Sequence, residues 1–189
     1  GYETTRYASS VEIVGRGDRR LDEAWSDGAQ AYLGITTAGF PNLFMITGPG
    51  SPSVLTNMIT SIEQHVEWIR ECLIQLRARG LRRIEATEAA QDAWVDYVNM
   101  VADMTLFPTC NSWYLGANIP GKPRVFMPYC GGVGTYRKRC DEIAFQIEDH
   151  ALRGAPISVA RSIFVPIFRK IVGHGEGRLG HVDTFVAAA

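Results

Sequence analysis

The chain has 189 residues, 46% of them hydrophobic and 21% charged, with 19 basic against 20 acidic side chains and a formal net charge of −1. That composition suits a globular domain large enough to bury a core, and it excludes nucleic acid or an anionic membrane as partners drawn by charge. No apolar run approaches the roughly 20 residues that span a bilayer, and Gly1-Tyr-Glu-Thr-Thr5 has neither the basic start nor the apolar stretch of a signal peptide. The missing initial Met suggests a chain that begins inside a longer one. Cys72, Cys110, Cys130 and Cys140 are widely spaced, and His65, His150, His174 and His181 supply no close ligand pairs. A reduced, cytoplasmic protein with inert thiols and no metal site is therefore expected.

Residues 1–32 are polar and turn-rich, with a short strand predicted at Val11-Glu-Ile-Val14 and a turn at Gly15-Arg-Gly-Asp18. Arg16-Gly17-Asp18 also occurs in integrin ligands, but a tight turn between extended pieces accounts for it. In Phe40-Pro-Asn-Leu-Phe-Met-Ile-Thr47, residues 43–46 predict a short buried strand, ended by Gly48-Pro49-Gly50. Ser51-Pro-Ser-Val-Leu-Thr-Asn57 leads into the clearest helix. There Met58, Ile62, Val66, Ile69, Leu73 and Leu76 recur at steps of three or four and so share a face. Glu63 and Glu67 lie early in it, Arg77 and Arg79 late, and Gly80 supplies its stop, in keeping with the helix dipole.

A second helix is predicted from near Thr87, with Trp94, Val98, Val101 and Thr105 on a related face and Pro108 as its end. Residues 112–124 are too rich in Gly and Pro for regular structure. Residues 124–129 can form a strand, which Pro128 confines to an edge or an end. Gly131-Gly132-Val-Gly134 reads as a turn and residues 136–145 as a last helix. After Gln146 the character changes: residues 157–172 are apolar and basic, and Gly173-His-Gly-Glu-Gly177 reads as a connector.

Two segments could carry chemistry. A strand, Gly48-Pro49-Gly50 and a helix in succession would let a ligand approach the backbone and meet the positive end of the helix. A reduced flavin, negative at one edge of its ring, is a ligand that such an end would stabilise; a turn forced by packing is the plain alternative. The second is the loop 112–124, where Trp113, Tyr114 and Asn118 can stack or hydrogen-bond and Lys122 and Arg124 can meet phosphate. It could close as a lid, or be an exposed loop with one aromatic anchor. His65 reads as a packed histidine, and Glu63, Glu67 and Glu71 as a solvated face.

Several motifs occur here in order: residues 40–53, then Asn57-Met58, Ser61-Ile-Glu-Gln-His65 and Ser112-Trp-Tyr-Leu-Gly-Ala-Asn-Ile-Pro-Gly-Lys-Pro-Arg124. Together they resemble the C-terminal region of the Baeyer–Villiger monooxygenases, of the type that oxidises cyclohexanone or phenylacetone. The resemblance implies an α/β fold, the C-terminal part of a flavoprotein with two dinucleotide-binding domains, built from short strands and two long amphipathic helices. It covers about residues 1–145, with an NADP-contacting loop at 112–124, and leaves 146–189 as a tail of unknown role.

It further implies FAD and NADP as cofactors and a reaction in which NADPH, O2 and a ketone give an ester or lactone. By the same resemblance Gly48, Pro49, Gly50, Asn57 and Met58 lie by the flavin, and Ser53, Val54 and Leu55 line the substrate side. Trp113 and Lys122 belong to the loop that meets NADP. The family's cofactor fingerprints and catalytic arginine precede the matched region, so no catalytic residue is expected in this chain, and the rest of the enzyme would be its partner. A non-catalytic remnant or interaction module that kept the helices is the alternative.

Overall fold

A computed structural model describes residues 11–53, 56–117, 120–121 and 124–144, and the backbone of 145–152 and 185–188. In chain order its elements are α1 (Leu21–Ala24), α2 (Met58–Ala78), β1 (Arg83–Ala86), α3 (Glu88–Asp103), α4 (Val133–Leu152) and β2 (Phe185–Ala188). Single 3-10 turns lie at Arg16–Asp18, Phe107–Thr109 and Trp113–Leu115.

Helix α2 starts where Asn57 accepts the Ile59 N–H on its side chain, 2.9 Å away. It ends in a Schellman motif: Leu81 N–H reaches Leu76 O (3.0 Å), Gly80 N–H reaches Arg77 O (3.1 Å), and Gly80 has φ +66°. The expected stop at Gly80 is thus observed. The buried face is not the expected one. Ser61, Gln64, His65, Trp68, Cys72 and Leu76 point inward, while Met58, Val66 and Leu73 are exposed. Trp68 is the bulkiest of these and donates its indole N–H to Cys140 O, and His65 finds two polar partners inside. The expected solvated face, Glu63, Glu67 and Glu71, is exposed.

Helix α3 starts at a Thr87 cap, whose hydroxyl accepts the Ala90 N–H, and buries Trp94, Val98 and Val101 as its spacing predicts. It stops at Asp103, ahead of Pro108, and Thr105 lies beyond it with its hydroxyl on Ala102 O (2.6 Å). Helix α4 buries Tyr136, Cys140 and Ile143, and it continues past residue 146, so the expected domain limit falls inside a helix. Among the described residues three helices are long: the two expected to be so, and α4, which extends the last helix expected at 136–145. Most of the main core lies among them, with β1 closing one side. Leu21, Trp25, Ala29 and Phe40 make a second, smaller core.

The strands differ most from expectation. Residues 43–46 are irregular and only partly buried; Asn42 fixes the start of this stretch through Ile84, pairing N–H to O (2.9 Å) and taking Ile84 N–H on its side chain (3.1 Å). Val14 makes only an isolated bridge to Arg20, and residues 124–129 contribute only a parallel bridge from Tyr129 to Pro52. Each stretch is too short, or too interrupted by Pro and Gly, to lay down a ladder. The two-stranded sheet observed is β1 with β2, antiparallel, pairing Arg83 with Ala188 and Ala86 with Phe185. Part of the tail is therefore built into the fold. The region from Ala31 to Phe40 is buried throughout without being a strand or helix.

The turn at Arg16–Asp18 has its arginine on the buried carboxylate of Glu85, 2.9 Å away, so that side chain already serves β1. Cys72 and Cys140 are buried thiols pushed up to about 12 by that burial, which keeps them protonated and unreactive, whereas Cys110 is exposed. Among the described residues no helix is long and apolar enough to cross a membrane.

Candidate functional site

The loop Gly48-Pro49-Gly50 is buried and held from four sides. Gly48 N–H donates to Gly34 O (3.0 Å) and Gly50 N–H to Met127 O (2.7 Å), while Trp94 Nε1–H donates to Gly50 O (3.3 Å). Ser51 follows, its hydroxyl on Gly48 O (2.7 Å) and its carbonyl taking Tyr129 N–H (2.9 Å). The glycines are needed for these close approaches: a Cβ on Gly48 would lie 2.7 Å from Gly34 O, and one on Gly50 2.9 Å from Trp94 Nε1. Their backbone donors are thus turned toward the protein's own carbonyls.

The fourth hold is on Thr47. Its N–H donates to His65 Nδ1 (2.9 Å), and His65 Nε2 meets the Tyr136 hydroxyl at 2.7 Å. That hydroxyl donates to Leu33 O (2.5 Å). With Nδ1 accepting and the tyrosine proton already placed, the imidazole carries its hydrogen on Nε2 and is neutral. Burial holds the His65 pKa down to about 4, since a charged ring would lose solvation and present a second N–H to the Thr47 amide. Burial likewise raises the Tyr136 hydroxyl well above its ordinary value. The expectation of a packed His65 is met, with two polar partners as the reason it tolerates the core.

The open part of this region is the start of α2. Asn57, Met58, Ile59 and Thr60 are all exposed, Ser53 is half-buried, and Val54 and Leu55 lie outside the described residues. Seven residues, 51–57, separate Gly50 from the helix, so the helix end does not continue directly from the glycines. An exposed first turn carries the positive end of the helix dipole, an environment that favours a negatively charged group. The internally bonded glycine amides do not offer that environment themselves. Gly175, Gly177 and Gly180 match the letters of a G-x-G-x-x-G phosphate loop, a spacing absent from the expectations above, and they lie outside the described residues.

In the second candidate segment Trp113 is 48% exposed and lies against Tyr114, ring centroids 3.9 Å apart at 31°. Tyr114 in turn meets Phe107 edge-on, and Leu115 is buried as an anchor. Ser112 caps the turn by accepting Tyr114 N–H, and Gly116 closes it at φ 69°. Arg124 ties the base of the loop to Asn111 (3.1 Å) and Cys110 O (3.4 Å), while Asn118 and Lys122 lie outside the described residues. One residue joins the two candidate segments: Met127 accepts from Gly50 through its oxygen and donates to Tyr114 O through its N–H (3.1 Å). Nothing in the spacing of the sequence marks Met127; the link is visible only in the fold.

Comparison with known proteins gives this geometry a family. No family model matches the chain. A Baeyer–Villiger monooxygenase of Pseudooceanicola batsensis is 44% identical over 127 residues, 67% of this chain and 23% of that protein. The structure of cyclohexanone monooxygenase from Rhodococcus sp. Phi1 bound to NADP+ is similar at 36% identity and a TM-score of 0.70, over 75% of this chain and 26% of that one. The complex of OTEMO with FAD and NADP is similar at 30% identity and a TM-score of 0.65, over 72% of this chain and 25% of that one. The chain spans about a quarter of the length of the relatives it matches. By sequence and by fold over that quarter, the chain belongs to the Baeyer–Villiger monooxygenase family.

Proposed function

We propose that this chain forms the C-terminal part of a cytoplasmic, FAD- and NADPH-dependent monooxygenase that converts ketones to esters or lactones with O2. Residues 1–145 would belong to its FAD-binding and monooxygenase domain, and the remaining three quarters of such an enzyme would be the partner that completes the site. Bound FAD would accept hydride from NADPH and activate oxygen. The chain's own residues would do the holding. Asn57 and Met58 would face the flavin from the open end of α2, with the Gly48–Pro49–Gly50 loop fixing where that end sits. Ser53, Val54 and Leu55 would line the substrate side, and Trp113 and Lys122 would close over NADP.

The observation that carries this reading is the backbone of Met127, hydrogen-bonded on one side to Gly50 and on the other to Tyr114, which links the Gly48–Gly50 loop to the tryptophan loop. The exposed apolar stripe of α2, with Ile59, Val66 and Leu73, supports the existence of a covering partner. The test is a restored enzyme, in which this chain replaces the matching quarter of the Pseudooceanicola relative. Stoichiometric flavin after gel filtration, with NADPH-dependent conversion of a cyclic ketone, is the expected result. A colourless, folded protein would refute the reading. The isolated chain, mixed with FAD and passed through the same column, should lose most of its flavin.

A further inference from the structure

We infer that His65 and Tyr136 are a positioning pair that clamps two left-handed residues, Thr47 by its N–H and Leu33 by its carbonyl, and thereby sets the Gly48–Gly50 loop that follows Thr47; its consequence for flavin rests on the proposed function above. Four non-glycine residues among those described have positive φ: Asp18, Leu33, Asn42 and Thr47. Such a backbone is unfavourable for an L residue and persists only where its surroundings enforce it. Asp18 is exposed in a turn, and Asn42 holds itself through its own side chain on β1. Leu33 (φ 58°) and Thr47 (φ 54°) are different. They sit at the two ends of one hydrogen-bond chain, from Thr47 N–H through His65 and Tyr136 to Leu33 O.

Each of the two precedes a glycine, and those glycines touch. Gly48 N–H bonds Gly34 O, and a Cβ on Gly34 would lie 2.5 Å from Ser51 Cβ. No side chain can buffer this contact, so the peptides must be oriented from behind. Apolar packing is non-directional and cannot choose which way an amide or a carbonyl points. A ring nitrogen that accepts from one peptide and a hydroxyl that donates to the other can. That explains why a histidine with no exposure and a fully buried tyrosine, brought from α2 and α4, meet inside the core.

The test uses Tyr136→Phe, which removes one hydroxyl and keeps the ring, and His65→Gln, which keeps one acceptor and one donor. Amide exchange in the full chain is expected to rise about tenfold or more at Thr47 and Gly48 in Tyr136→Phe, relative to the α3 amides as an internal reference. His65→Gln is expected to rise less. In the restored enzyme Tyr136→Phe is expected to move the flavin absorption bands or reduction potential and to raise NADPH use without ketone oxidation. If Thr47 and Gly48 exchange no faster relative to α3 than in the parent, the clamp is wrong. If they do exchange faster while flavin spectrum, potential and coupling stay put, the clamp stands and the placement of this loop beside flavin is what fails.

Discussion

The Gly48–Gly50 loop and the Trp113 loop are both short, rich in glycine and flanked by aromatic rings, yet they are built on opposite terms. The first has its backbone polar groups bonded to the protein's own carbonyls, amides and indole, and its glycines admit no further atom. The second is anchored by Leu115 and Tyr114 and leaves its largest ring half in solvent. The contrast separates two uses of glycine. In one, the missing Cβ permits chain to meet chain; in the other, Gly116 only turns the backbone at the end of a 3-10 turn. A region of the first kind is fixed by its own bonds, and a region of the second kind leaves a large ring open to solvent. The backbone of Met127 joins them.

The contrast breaks most readily at Gly34. Alanine there would combine a φ of +70° with a Cβ 2.5 Å from Ser51 Cβ, so Gly34→Ala is expected to cost about 3 kcal/mol or more, read from the denaturant midpoint. A loss under about 1 kcal/mol would mean that the loops are not locked together.

Acid should act on the same region. His65 has a folded pKa of about 4 against 6.5 in the unfolded chain, so the unfolded state takes up the proton first as pH falls. Its contribution is complete above pH 6.5 and is lost progressively down to about pH 4. Between pH 7 and pH 5 the loss is about 2 kcal/mol from this group, and His65→Gln should flatten that part of the stability curve. An unchanged slope in the variant would remove His65 as its source.

The end of α2 offers a milder test. Asn57→Ala deletes the cap on Ile59 N–H and should cost about 1 kcal/mol of stability. In the restored enzyme it should also weaken flavin retention. Normal retention with the expected stability loss would separate the cap from any cofactor role.

Trp113→Ala should have the smallest effect on folding, under about 1 kcal/mol, because what is lost is one stack on Tyr114 at the surface. In the restored enzyme NADPH use should nonetheless fall by about ten- to a hundredfold. Normal NADPH kinetics would reduce the loop to a surface turn.

The local sequence determined the parts whose signals are local. The Asn57 cap, the Gly80 stop, the Thr87 cap and the inward row Trp94, Val98 and Val101 are each decided within a few residues, by hydrogen bonds and a 3.6-residue period. The family motifs were legible too, because they are strings. Tertiary structure decided the rest. Which side of α2 turns inward depended on partners 70 or more residues away, Cys140 O for the Trp68 indole and Tyr136 for His65. Residues 43–46 look like a strand by composition, but a strand needs a neighbour to pair with, and among the described residues the ladder that forms is β1 with β2. The left-handed Leu33 and Thr47, and the bond chain joining them, are invisible in a string of letters. A hydrogen bond between residues 71 apart leaves no spacing to read; it exists only once two helices have packed and set a ring against a hydroxyl.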